Sequence, residues 1–70
     1  MTPKAALKLA IKEAGTAKAL AGKIRVAPST ITYWLLKGQV PAEHAKAVAF
    51  AVNGMVTVHD LRPDVFEGKP

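Results

Sequence analysis

The sequence predicts an all-α fold: four helices, a short fifth one, and a helix-turn-helix made from the second and third. Three observations carry that expectation. Apolar residues recur at helical spacing through most of the chain. Helix punctuation falls at short intervals, at Thr2-Pro3, Gly15-Thr16, Pro28, Gly38, Pro41 and Asn53-Gly54. Thirteen of the 70 residues are alanine, so a core must come from a few large side chains in closely packed helices.

The elements follow in order. Thr2 is an N-cap before a proline at the first helical position, and Leu7, Ala10, Ile11 and Ala14 form the inner stripe of a helix over 3–14 that Gly15 stops. Thr16 is placed to cap a second helix over 17–24, with Ala17, Leu20, Ala21 and Ile24 inward. Gly22 weakens that helix by about 1 kcal/mol relative to alanine, and suggests a close approach by a neighbouring helix. Pro28 opens a third helix over 28–36, with Ile31, Trp34 and Leu35 on one face and Gly38 beyond its end. A fourth spans 41–53, carries Glu43 near its positive dipole end and buries Ala45, Val48, Ala49 and Val52. For 55–62 the pattern leaves two readings. One is a short helix over 58–62, capped by Thr57 with Asp60 three positions later; the other is an extended strand over 55–58. Residues 1–66 form one domain on this reading, and 67–70 a frayed tail.

Size and charge bound the function. Seventy residues make a single small domain with limited core. The chain has no cysteine, which removes disulfides and thiolate zinc sites and fits a cytoplasmic location. No apolar run approaches the roughly 18 residues of a membrane span. Net charge is +5, and the positive charge lies in the body of the chain, since residues 60–70 carry three acids against two bases. A basic body favours polyanions, chiefly nucleic acid.

The second and third helices carry the functional reading. Between Ile24 and Pro28 only Arg25, Val26 and Ala27 remain, so the two helices must cross steeply. Ala21 faces the crossing point, Val26 plugs the turn, and Arg25 stands where these units often place a glycine in left-handed conformation. That costs an arginine roughly 1 kcal/mol, and its guanidinium is within reach of a phosphate. With the core face of the third helix set aside, Pro28, Ser29, Thr30, Thr32, Tyr33 and Lys37 remain as the outward surface. Hydroxyls, a phenol and an ammonium suit base edges, and the expected absence of bulky aliphatics on this face fits a major groove about 12 Å wide. Hydroxyls are poor choices for a helix that is merely solvated, because they compete locally for the backbone. The adjacent rings therefore divide: Trp34 inward, Tyr33 outward. Thr16, Lys18, Lys23, Arg25 and Lys46 are candidate phosphate contacts, the first through its hydroxyl and the helix N-terminus. Lys4, Lys8 and Lys12 form a stripe on the first helix that reads as a solvated face.

The stretches "ALAGKIRVAPSTITYWLLKGQVPAEHA" and "VTVHDLRPDVF" resemble the small Cro-type repressors of lambdoid phages and prophages. The similarity is nearest to the branch labelled YdaS-type antitoxin or Cro-like regulators, and it covers residues 16–66. It implies a lambda-repressor-like fold and a DNA-binding transcriptional repressor acting as a dimer on palindromic operators. It also implies base reading by Ser29, Thr32 and Tyr33, with Pro28, Thr30 and Lys37 nearby. Arg25 in place of the usual glycine departs from the pattern.

In the C-terminal segment, Leu61 is expected to fold inward, and Val58, Val65 and Phe66 are candidates for a homodimer interface. A strand at 55–58 would allow edge pairing instead. Two other classes compete. Catalysis has only His44 and His59 with a few scattered acids to draw on, so neither an enzyme, a metal site nor a cofactor is expected. An antitoxin or phage-encoded module acting through a protein partner, such as a toxin, is the stronger rival, supported by the apolar C-terminal segment.

Overall fold

The computed structural model describes residues 2–64. The domain boundary at 66, the tail at 67–70 and the proposed interface residues Val65 and Phe66 lie outside the described residues. Five helices follow one another: α1 Pro3–Ala14, α2 Ala17–Ile24, α3 Pro28–Lys37, α4 Ala42–Ala51 and α5 Val58–Leu61. Among the described residues there is no strand, so the extended alternative for 55–58 is replaced by a turn leading into α5.

Local chemistry sets these bounds. Thr2 Oγ1 accepts the Ala5 N–H at 3.1 Å and Thr16 Oγ1 accepts the Ala19 N–H at 3.0 Å, so both threonines cap as their positions predict. The short α5 is held by a capping box: Thr57 Oγ1 accepts the Asp60 N–H at 3.1 Å, and Asp60 Oδ2 accepts the Thr57 N–H at 3.0 Å. A single turn of four residues would not persist without such a device.

The ends differ from expectation by one or two residues. α3 continues to Lys37, one residue past the predicted end, before Gly38 turns left-handed at φ 83°. α4 begins at Ala42, since Pro41 is its extended N-cap, and stops at Ala51 rather than 53. There Asn53 takes φ 54°, and the Gly54 N–H reaches back to the Ala49 carbonyl at 3.0 Å, which closes the helix early. α5 ends at Leu61, because the Arg62 backbone has already left helical geometry. Gly22 does not mark a close approach. It is exposed, and no atom lies within 4 Å of where a Cβ would sit.

Leu7, Leu20, Ile31, Val40, Val48, Val56 and Leu61 make the fully buried core, closed by Ala6, Ala10, Ala21 and Ala45. Among the described residues no polar or charged side chain is buried. α2 packs on α1, α3 and α4, and α5 closes the ends of α1 and α4. Ile24, Val26 and Leu35 pack against the core from its margin. Each large side chain removed from water contributes roughly 1.5–3 kcal/mol, so small alanine-lined crossings let a few residues supply most of the stability. No helix among the described residues is long and apolar enough to cross a membrane.

Candidate nucleic-acid interface

The turn between α2 and α3 sets the geometry of the surface. Arg25 is left-handed, at φ 61° and ψ 48°, and its N–H donates to the Ala21 carbonyl. The Val26 N–H donates to the same carbonyl at 3.0 Å. The turn from α2 to α3 is thus made within three residues, and Ala21 is buried, 1 % exposed. Arg25 remains exposed while its backbone carries the strain.

Along α3 the two rings separate as their adjacency requires. Trp34 is 3 % exposed, and its ring lies 5.1 Å from that of His44, linking α3 to the start of α4. Tyr33 is 57 % exposed, with the Lys37 Nζ 5.9 Å from its ring centroid, at the outer range of a cation–π contact. Pro28, Ser29 and Thr32 are exposed as predicted, whereas Thr30 is half-buried on the flank towards the core. The Thr32 hydroxyl donates a long hydrogen bond to the Pro28 carbonyl at 3.5 Å, and its oxygen remains able to accept.

Sequence reasoning missed one residue of this face. Leu36 is 84 % exposed, so the outward surface of α3 does carry a bulky aliphatic group. The signal was present: seven residues make nearly two turns, so Leu36 returns to within about 20° of Ser29.

Two shallow grooves flank the face. One is lined by Lys4 and Lys8 of α1 together with Thr32, Leu35 and Leu36. The other is lined by Tyr33, Trp34, Lys37, Gln39, Pro41 and Arg62. Lys4 and Lys8, read from sequence as a solvated face, therefore stand beside the outward surface of α3. α3 itself contains no carboxylate. Thr16, Lys18 and Lys23 are exposed on α2 and its cap, and the Thr16 oxygen accepts from Ala19 while its hydroxyl proton is left to donate. Lys46 is placed elsewhere, along the α4–α5 groove with Ala49, Phe50, Asn53, Val56 and Val58. Val58, half-buried, packs against the core, while Phe50, which lines the same groove, is 86 % exposed; Met55, in the α4–α5 connection, is 52 % exposed. Among the described residues no group of three or more His, Asp or Glu side chains is placed to hold a metal ion.

Comparison with known proteins adds to this geometry. A family described as bacterial toxin YdaS matches residues 7–70. Among solved structures, the Cro protein from prophage element Xfaso 1 of Xylella fastidiosa strain Ann-1 is 41 % identical. The match covers 87 % of this chain and 94 % of that one, with a TM-score of 0.86. No curated protein matches.

Proposed function

The chain belongs to the YdaS toxin family and has the fold of a prophage Cro protein, and from that premise we propose that it is a sequence-specific repressor of transcription that lays α3 in the major groove of double-stranded DNA. The observation that carries this reading is the outward face of α3: Ser29, Thr32 and Tyr33 exposed together, free of carboxylates and bordered by Lys4, Lys8 and Lys37. Hydroxyl and phenol groups read base edges, and the flanking ammonium groups meet the phosphates. Thr16, Lys18, Lys23 and Arg25 extend those contacts along the backbone from the N-terminal side of the helix pair. Lys46, on α4, serves a more distant phosphate or none.

One helix-turn-helix reads half a palindrome, so the working unit is a homodimer. The α4–α5 face, with Phe50 and Val58, is the surface offered to the second copy. The same exposed apolar residues favour one rival reading, in which the chain acts as an antitoxin or phage-encoded module through a protein partner such as a toxin. In either case the protein acts by binding and without a cofactor, in the cytoplasm.

The test is a titration with labelled random-sequence duplex at about 50 and 200 mM salt, followed by selection from the pool. DNA binding driven by phosphates falls with a log–log slope of about −0.9 per contact. Steep salt dependence with enrichment of a short palindrome supports the repressor. No binding at low salt overturns it and leaves the protein-partner reading.

A further inference from the structure

Leu36 is the one large aliphatic side chain on the outward face of α3, and it has no structural reason to be there. At 84 % exposure it contributes almost nothing to the core, which Ile31 and Trp34 already fill from the same helix. An exposed leucine on a charged, solvated surface is ordinary when it stands alone among lysines and glutamates. This one stands at the centre of a row. Helical geometry puts it within about 20° of Ser29, with Thr32 to one side and Tyr33 to the other.

Its surroundings restrict what it meets. Leu36 shares a groove with Lys4, Lys8, Thr32 and Leu35. On the other flank of this face Lys37 lies over Tyr33, 5.9 Å from the ring centroid. Cations thus border the helix on both flanks, from α1 on one side and from the end of α3 on the other. An apolar tip set between two cationic borders is complementary to a surface that is anionic at its two edges and apolar at its middle. The floor of a major groove between two phosphate strands has that form wherever a thymine presents its 5-methyl group. A protein groove that binds a helix would offer the reverse, an extended apolar floor for several anchors, and α3 presents only this one aliphatic group outward.

We propose that Leu36 is a specificity-determining residue that recognises the 5-methyl group of a thymine in each operator half-site, with Lys4 and Lys8 holding the adjacent phosphates. The proposal rests on the major-groove reading of α3. Leu36 supplies no hydrogen bond, so it discriminates by filling or leaving a methyl-sized space. Ser29 and Thr32 beside it supply the polar contacts that fix register.

The experiment uses the full-length protein and the duplex that it selects from a random pool. Each thymine of that duplex is replaced in turn by uracil, which removes the methyl group and leaves the hydrogen-bonding edge unchanged. Affinity is measured for the native protein and for Leu36→Ala, whose exposed position leaves folding intact. One uracil position per half-site is expected to weaken the native protein about fourfold, from the loss of one buried methyl, and to leave Leu36→Ala unaffected. Lys4→Gln and Lys8→Gln are expected to lower the salt slope by about 0.9 each without changing the uracil profile. If Leu36→Ala keeps the same uracil sensitivity as the native protein, or if no thymine is sensitive in either, Leu36 does not read a methyl group while the repressor reading stands. A pool from which no sequence is enriched overturns the repressor reading itself, and this assignment with it.

Discussion

Arg62 grips Asp64 with a two-pronged fork, Nε to Oδ1 at 2.9 Å and Nη2 to Oδ2 at 2.7 Å. The remaining nitrogen, Nη1, donates to the Val40 carbonyl at 3.2 Å, across 22 residues of sequence. The stretch "DLRPD" thereby becomes legible as four separate tasks: Asp60 caps α5, Leu61 enters the core, Arg62 ties α5 to the α3–α4 loop, and Asp64 orients the guanidinium. Val40 is itself fully buried, so the tie fixes the loop that follows α3.

Arg62→Ala should therefore lower the urea midpoint, and Arg62→Lys should lower it almost as much. Lysine keeps the charge but has one point of contact where the guanidinium has a planar fork. The hydrogen bond to Asp64, opposed in part by desolvation, raises the Arg62 pKa still further above neutral. A group whose folded pKa is raised gives its stability in full below the unfolded value and loses it only as pH climbs through the folded one. The arginine side of the pair thus stays complete through neutral and moderately alkaline pH. Denaturation that shows lysine fully replacing arginine would remove the fork from the account.

Arg25 allows a structural and a binding role to be separated in one variant. Its left-handed backbone, φ 61°, costs an arginine about 1 kcal/mol that glycine does not bear. Arg25→Gly should raise thermal stability accordingly. It should also reduce the salt slope of duplex binding by about 0.9, as one phosphate contact is lost. A stabilised variant with an unchanged slope would confine Arg25 to the turn.

The adjacent rings make a contrasting pair. Trp34→Ala should cost roughly 3–5 kcal/mol, comparable with the whole stability of so small a domain. It also removes the contact with His44, at 5.1 Å between ring centroids, that joins α3 to α4. Tyr33→Ala, at a position 57 % exposed, should leave the unfolding midpoint within about 0.5 kcal/mol of the native protein. It should reduce preference for the selected duplex over random sequence by about tenfold. Circular dichroism on heating together with competition binding reads both. A folded Trp34→Ala that has merely lost DNA would reverse the two assignments.

These residues show where sequence reasoning succeeds. Helix starts and stops are local events, written in Thr2, Thr16 and Thr57, in Gly15 and Gly38, and in the tight turn at Arg25, so α1 and α2 are placed to the residue. The inward stripe of each helix follows from its period, and left-handed Arg25 from the tightness of the turn. Contacts that join distant parts of the chain leave no such trace. Val40 is one apolar residue in a loop, without periodicity to mark it as core, and the acceptor for Arg62 lies far away in sequence. Gly22 is misread because a glycine inside a helix signals weakness but not what stands opposite it. Leu36 is of another kind. The run Trp34-Leu35-Leu36 sweeps about 200° of the helix, so all three cannot face the core, and the period alone sends the last outward.

The same logic reaches the α4–α5 face. Phe50 is 86 % exposed at the end of α4, in a groove that includes Val58, an unusual cost for a small surface. If a second copy covers it, Phe50→Asp should leave the unfolding midpoint of the isolated chain unchanged, since the ring packs on little of its own domain. Sedimentation should then report a shift from dimer to monomer, on DNA or off it. Binding to a full palindrome should weaken by about tenfold or more, because two half-site contacts are no longer coupled. Binding to a single half-site should remain at native affinity. A variant that still dimerises and binds the palindrome as before would show that the second copy docks elsewhere. Loss of half-site affinity as well would tie Phe50 to the fold and not to assembly.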